Sequence, residues 1–291
     1  MIREMEYTVP AEFDGKPVKF FLRRALKMSA RTLNILKHDD LGLRRNGSHV
    51  RTVDPLHTGD LLTLRLPEED NGIAPTDPAG LRIVYEDDDV LVVDKPAGLA
   101  VHPTHNHQGD TLANMVAGYL AQKDDHGLFR AVGRLDKQTS GLVLIARNRH
   151  AASCLQERYE KTYYAIAEGV LSGQGTIDAP IYRPDPGKTL RAAGESGDPA
   201  VTHWTALRTD GTHTLLRVTL ETGRTHQIRV HFSSVGHPLA GDEMYGGRTD
   251  RIDRAALHCG ELTFAQPVTG KALRLTAPLP ADFFLCMDVH S

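Results

Sequence analysis

The sequence of 291 residues has little cysteine and few aromatic side chains: three cysteines (Cys154, Cys259, Cys286), one tryptophan and 6% aromatics in all. An odd number of widely separated cysteines provides neither a disulfide framework nor metal-ligand spacing, and reads as reduced, buried thiols. No apolar run approaches the ~20 residues that a membrane-crossing helix needs. The N-terminus lacks the basic start and apolar stretch of a secretory signal. These absences point to a soluble, cytoplasmic protein. Excess basic charge is missing too: the net charge is −3, which argues against indiscriminate coating of nucleic acid, since such binding draws on phosphate neutralisation. Residues 1–66 differ from the remainder, with 12 Lys and Arg against 8 Asp and Glu. That part is the better candidate for a phosphate-contacting module, the plain alternative being a solvated face.

At this length the chain forms one large domain or a domain with an appendage. Residues 67–80 mix acidic side chains with three prolines and two glycines, keep no apolar period, and read as a linker. Before it, Ser29 to Leu33 begins a short helix with Arg31 and Lys37 on its polar side. Asn46-Gly47 marks a tight turn, and Leu62, Leu64 and Leu66 alternate as in a strand. Beyond it, Leu81–Tyr85 and Val90–Val93 form a hairpin around Glu86–Asp89. Helices are predicted over Asp110–Gln122, capped by Asp110, and over Arg149–Glu160. Strands recur near 163–168, 201–207 and 213–220. Strands and helices in mixed order, without a phosphate loop or dinucleotide glycine fingerprint, predict an α+β fold rather than a doubly wound sheet.

The most telling stretch is Gly133-Arg134-Leu135-Asp136-Lys137-Gln138-Thr139-Ser140-Gly141, directly before the apolar run Leu142–Ala146. A polar turn feeding a buried strand can aim one short carboxylate into a cleft, held by backbone-bonding hydroxyls of Thr139 and Ser140. An ordinary surface turn has the same composition. Three more segments bear on the choice: Val93-Asp94-Lys95-Pro96-Ala97-Gly98-Leu99-Ala100-Val101-His102-Pro103, Lys161-Thr162-Tyr163-Tyr164-Ala165, and Leu220-Glu221-Thr222-Gly223-Arg224-Thr225-His226-Gln227-Ile228-Arg229-Val230-His231 continuing to Asp242. Together, and in this order, the four segments resemble the motifs of the RluA-type pseudouridine synthases over about residues 81–285. Residues 1–66 resemble the S4-type RNA-binding module found ahead of such enzymes, with Arg44-Arg45 in place of the usual apolar residues before Asn46-Gly47. Either the module is degenerate or these arginines add phosphate contacts.

The resemblance implies a mixed, largely antiparallel sheet with flanking helices and a cleft across its middle. It divides the chain into an S4-like module (1–66), a linker (67–80) and a catalytic domain (81–291). It implies an RNA pseudouridine synthase acting on ribosomal or transfer RNA, a monomer, with Asp136, Tyr163 and Arg229 as catalytic residues. Arg134 would fill the space left by a flipped uridine. Arg229, on a helix whose Ile228, His231, Phe232 and Val235 face the core and which Gly236 ends, would pair with Asp136. An adjacent guanidinium keeps a desolvated carboxylate ionised and oriented. Tyr163 would lie against the base, with its strand neighbour Tyr164 turned away. Arg224, His102, Arg44, Arg45 and Arg31 complete the expected RNA contacts.

Isomerising uridine to pseudouridine breaks one bond and makes another with no net redox change, so it requires no cofactor in principle. His102, His105 and His107 could be taken for a metal site, but a loop containing Pro103 and Asn106 explains them as well, and no metal is expected. Two positions depart from the usual pattern: Gly133 stands where histidine is common, and Asp198 where lysine is frequent. The rival readings are a non-catalytic RNA-binding or folding factor on the same scaffold and a base-excising glycosylase, which would release the base where a synthase does not.

Overall fold

The computed structural model describes residues 3–66, 72–104, 108–125, 127–156 and 158–287. The N-terminal part runs β1 (Arg3–Thr8), α1 (Val18–Arg24), α2 (Ala30–His38), β2 (Leu43–Arg45), β3 (Ser48–His49) and β4 (Leu61–Leu66). The strands form an antiparallel sheet in the order β1-β4-β2-β3. Ser29 caps α2 by accepting the Thr32 amide. Asn46 and Gly47 take φ of 52° and 84°, as a two-residue hairpin turn with both central residues left-handed requires. Leu62 and Leu64 of β4 are buried with Met5, Val18, Leu22 and Leu36 in a core separate from the main one.

This part is docked on the rest of the chain. Arg3 donates from Nε and Nη2 to the two carboxylate oxygens of Asp89, at 3.0 and 2.8 Å. The buried Asp89 also accepts from Asn148 Nδ2 at 2.8 Å and Gln266 Nε2 at 3.1 Å. Burial opposes its ionisation, but the Arg3 fork and these amides outweigh it and leave the carboxyl below its usual range. Tyr7 meets His150, and Val268 packs against the N-terminal core. The expected linker falls partly outside the described residues; its remainder lies along a helix, where Asn114 Nδ2 donates to the Ala74 carbonyl and the Thr76 amide to the Asn114 carbonyl. A Cβ at Gly118 would run into the Thr76 carbonyl. Arg3→Ala is therefore expected to destabilise the protein by about 3 kcal/mol, because one partner of a buried pair is removed. Denaturant unfolding measures it, and a loss below about 0.5 kcal/mol, typical of exposed pairs, would make the contact superficial.

The remaining elements are β5 (Arg82–Glu86), β6 (Val90–Lys95), α3 (Leu112–Gln122), β7 (Arg130–Val132), β8 (Ser140–Ala146), α4 (Arg149–Leu155), β9 (Tyr159–Glu168), β10 (Gln174–Asp178), β11 (Ile181–Tyr182), β12 (Ala192–Ala193), β13 (Val201–Thr209), β14 (His213–Leu220), α5 (Gln227–Ser234), β15 (Leu257–Ala265), β16 (Ala272–Thr276) and α6 (Ala281–Cys286). The main sheet has the order β10-β13-β14-β9-β15-β8-β6-β5, with β16 on β15 and β7 on β8. Its pairings are antiparallel except for β15 with β8, so the fold is α+β with a mixed, largely antiparallel sheet, as expected. The run Leu142–Ala146 is buried at every position, inside the main hydrophobic core. Two boundaries differ from the periodicity. Thr111, not Asp110, caps α3 through a box with Asn114. The helix begun at Arg149 stops at Leu155, since Tyr159 and Glu160 pair with Phe264 and Thr263 at the start of β9.

One irregularity of the ladder makes room for a site. β9 and β14 are paired only as far as Thr162 opposite Thr219. Beyond that point β9 follows β15 to Tyr159 opposite Phe264, while β14 follows β13 to Leu220 opposite Thr202. The sheet opens like a fork in its middle.

Candidate active site

A cleft of about 880 Å³ occupies the fork, lined by residues 133–136 of the β7–β8 loop, the first residues of β9, the end of β14 and the turn into α5. Residues from both faces of the sheet reach it, since Thr162 and Tyr163 alternate along β9.

The loop bearing Asp136 is pinned from below. The Thr139 amide donates to the Asp136 carbonyl and closes the turn, and Gly98 donates to the carbonyl of Lys137. Lys95 is fully buried, and its ammonium donates to the carbonyls of Pro96, Leu99 and Lys137 at 2.9, 2.8 and 3.3 Å. Burial pushes this amine down to about 7, against a pull upward from Asp136. The hydroxyls expected to brace the turn do not: Ser140 Oγ meets His258 Nδ1 at 2.9 Å, and Thr139 Oγ1 is buried with no partner among the described residues. The brace comes from a segment some forty residues upstream, which a local reading of the turn could not supply. Gly133 has φ of 70°, and a Cβ there would meet the Tyr159 hydroxyl. A side chain at this position would strain the backbone and displace the Tyr159 ring.

Opposite the loop stands α5. Gln227 anchors its start, accepting from the Arg224 amide and donating to the Val201 carbonyl. This holds Arg229 two residues on, buried behind the cleft lining. Arg229 donates from Nε and Nη2 to the carboxylate of Asp242, both at 2.7 Å, and its guanidinium lies over the Tyr245 ring at 4.9 Å. The remaining Nη1 faces Asp136 Oδ2 at 3.9 Å. Arg229 and Asp136 are thus brought together, but Asp242 is the closer and better aligned carboxylate. Burial disfavours the charge on Arg229, and the two carboxylates overcome this and keep it cationic. Of the helix residues expected in the core, Ile228, His231 and Phe232 are buried while Val235 is 48% exposed, past the last turn.

Tyr163 is 8% exposed, on the cleft side of β9, and burial raises its hydroxyl well above the ordinary range. Tyr164 points to the other face, donating to Glu261 at 2.7 Å. Tyr163→Phe is expected to slow turnover about 10²- to 10⁴-fold, the range of an assisting proton transfer, and Tyr164→Phe less than about threefold. Single-turnover kinetics on the same RNA compare them; equal effects would refute the strand-face assignment.

The other expected contacts are dispersed. Arg134 is exposed on the cleft lip. Arg224 also lines it, donating from Nε to the Pro199 carbonyl at 3.1 Å and approaching Asp198 at 3.7 Å. His102 lies outside the cleft lining, edge-on to Phe129 at 5.4 Å; burial and then the Arg134 charge lower its pKa. Arg31 is exposed on α2, whereas Arg44 pairs with Glu4 at 2.7 Å and Arg45 donates to the Pro55 carbonyl at 2.6 Å, both within the N-terminal part. His105 and His107 lie outside the described residues. Among the described residues no His, Cys, Asp and Glu group could hold a metal ion, and no helix is long and apolar enough to cross a membrane. Asp242, Tyr245, His226 and Lys95 were missed as site residues. Asp242, His226 and Lys95 sit inside recognised motifs, but sequence spacing does not reveal which carboxylate an arginine meets.

A carboxylate beside a fixed guanidinium and a buried tyrosine, in a cleft large enough for a nucleotide, can attack or shuttle a proton on a sequestered ring. Comparison with known proteins narrows this to one chemistry. Residues 89–234 match the family described as RNA pseudouridylate synthase. The chain is 36% identical to the uncharacterized RNA pseudouridine synthase YhcT of Bacillus subtilis (strain 168), over 96% of this chain and 95% of that one. It is 39% identical to the ribosomal large subunit pseudouridine synthase D of Pseudomonas aeruginosa, over 84% and 82% of the two chains. The structure of human RNA pseudouridylate synthase domain containing 1 superposes with a TM-score of 0.57 at 30% identity, covering 70% of this chain and 85% of that one. Motifs, fold and relatives agree, and the chain belongs to the RNA pseudouridylate synthase family as an enzyme of the RluA type.

Proposed function

We propose that Asp136 is the carboxylate by which this synthase opens the glycosidic bond of a flipped-out uridine, in large-subunit ribosomal RNA. The observation that carries the assignment is the third nitrogen of Arg229 facing Asp136 at 3.9 Å, with Tyr163 on the wall of the same cleft. In this reading Arg229 orients the carboxylate, and Tyr163 lies against the base, its hydroxyl relaying the carbon 5 proton by taking it up as its own passes to the freed Asp136 carboxylate. Arg134, exposed on the lip, takes the place of the extruded base. Arg224 and His102 contact the flanking backbone. The ribosomal substrate is inferred from the likeness to the Pseudomonas ribosomal large subunit pseudouridine synthase D.

Residues 1–66 serve as the S4-like RNA-binding module, 67–80 as the linker and 81–291 as the catalytic domain. Arg31 offers an exposed cation on the module, while Arg44 and Arg45 would reach phosphate only by exchanging Glu4 and Asp60 for it. The protein works as a cytoplasmic monomer. Carbodiimide labelling and primer extension of total RNA, from cells with and without the protein, test the substrate. A pseudouridine lost from large-subunit ribosomal RNA is expected; one lost only from transfer RNA would overturn the ribosomal assignment.

A further inference from the structure

His226 precedes α5 with φ of 60°, a left-handed conformation that residues other than glycine seldom adopt. Such strain persists where the surroundings impose it, often at functional sites. The side chain makes no capping bond to the helix. Its ring lines the cleft and meets the Tyr245 hydroxyl through Nδ1 at 2.8 Å, the two rings edge-on at 5.7 Å.

The protonation of this pair follows from counting donors. A phenol has one proton, and the Tyr245 oxygen already accepts the Arg191 amide at 3.0 Å. Among the described residues no acceptor other than His226 Nδ1 lies within hydrogen-bond reach of that hydroxyl. Its proton therefore goes to Nδ1. A histidine that accepts at Nδ1 carries its own proton on Nε2. Tyr245 stands outside the cleft lining, so the ring edge left to the cleft is the one bearing Nε2–H. Burial lowers the imidazole pKa; Asp136 and Asp242 pull it up, Arg229 and Arg191 push it down, and the result lies below the ordinary value. The ring is a neutral donor. A neutral donor suits an uncharged carbonyl oxygen, whereas a phosphate would favour the cation.

We infer that His226 is a base-reading residue, donating from Nε2–H to a carbonyl oxygen of the target uracil, and that Tyr245 is the positioning residue that fixes its tautomer. This rests on the reading that the Asp136 cleft receives the target uridine. Tyr245 would hold two parts of the site at once, since its ring also lies under the Arg229 guanidinium.

Nitrogen-15 spectra of the histidines in the full chain test the tautomer without any RNA. A neutral Nε2–H form at pH 7 is expected for His226, with loss of that preference in Tyr245→Phe; an Nδ1–H form or an imidazolium would overturn the inference. Two substitutions test the contact, because a glutamine amide nitrogen falls near the position of Nε2 and an asparagine nitrogen near Nδ1. His226→Asn, which tolerates the left-handed backbone, is expected to slow single-turnover tritium release from a large-subunit ribosomal RNA transcript by about 10- to 100-fold, the scale of an unpaired buried polar group. His226→Gln should recover most of that rate, and equal rates for the two variants would overturn the inference. Filter binding separates base from phosphate. With a short RNA centred on the modified uridine, His226→Asn should bind more weakly than the parent, but equally well when that RNA is abasic at the target. Equal weakening on both RNAs would assign the contact to phosphate and overturn base reading. A parent protein inactive on the transcript would count against the ribosomal assignment, and the spectra would then decide His226 alone.

Discussion

Asp136→Asn is expected to lower tritium release from RNA carrying 5-tritiated uridine by on the order of 10⁴-fold or more, the scale of losing a reacting side chain, while RNA affinity stays within a few fold. The amide keeps the shape of the carboxylate but can neither attack carbon nor take a proton. The fold should be almost indifferent to the change. Arg229 keeps both its 2.7 Å bonds to Asp242, so removing the charge 3.9 Å from its third nitrogen leaves no guanidinium stranded. A melting temperature close to that of the parent, beside a lost rate, separates chemistry from stability. Activity within a few fold of the parent would remove Asp136 from the reacting role.

Arg229→Ala should be damaging in both respects. It strips the partner from Asp242, whose side chain is 1% exposed, and an uncompensated buried charge costs about 3–5 kcal/mol. For a chain of this size that corresponds to a fall in melting temperature of roughly 10 °C. It also frees Asp136 from its orienting group. The double variant Arg229→Met with Asp242→Leu distinguishes the two losses, because apolar replacement of both partners restores much of the stability. Thermal melts and single-turnover rates are to be measured on each. A stable double variant without activity is the expected result; a stable and active one would show that the synthase does not use the Arg229–Asp136 pair.

Much of this site was legible in the chain. The segment around Asp136 stands out because an ionisable side chain in a polar turn precedes five apolar residues. β14 ends at Leu220 as its alternation suggests, and the Tyr163/Tyr164 contrast follows from strand geometry. What escaped were partners. The hydroxyls of Thr139 and Ser140 were the nearest candidates for bracing the turn, yet Lys95 does so through three carbonyls. Arg44 and Arg45 are engaged by Glu4 and the Pro55 carbonyl, partners that no local pattern names. An acidic stretch rich in Pro and Gly reads as a linker, and nothing in it shows that Arg3 crosses to a buried Asp89.

The division has a physical basis. Periodicity, turn chemistry and each single motif depend on residues within one or two turns of each other. The sequence by itself therefore determined the α+β class, the hairpins, the helix carrying Arg229 and the family. Which carboxylate an arginine meets, which hydroxyl fixes a histidine tautomer and where two strands separate depend on groups brought together only by packing. Tertiary structure decided that Asp242 takes two nitrogens of Arg229 and leaves the third to Asp136. It also decided that the sheet opens between Thr162 and Thr219, because β9 and β14 each continue with a different neighbour.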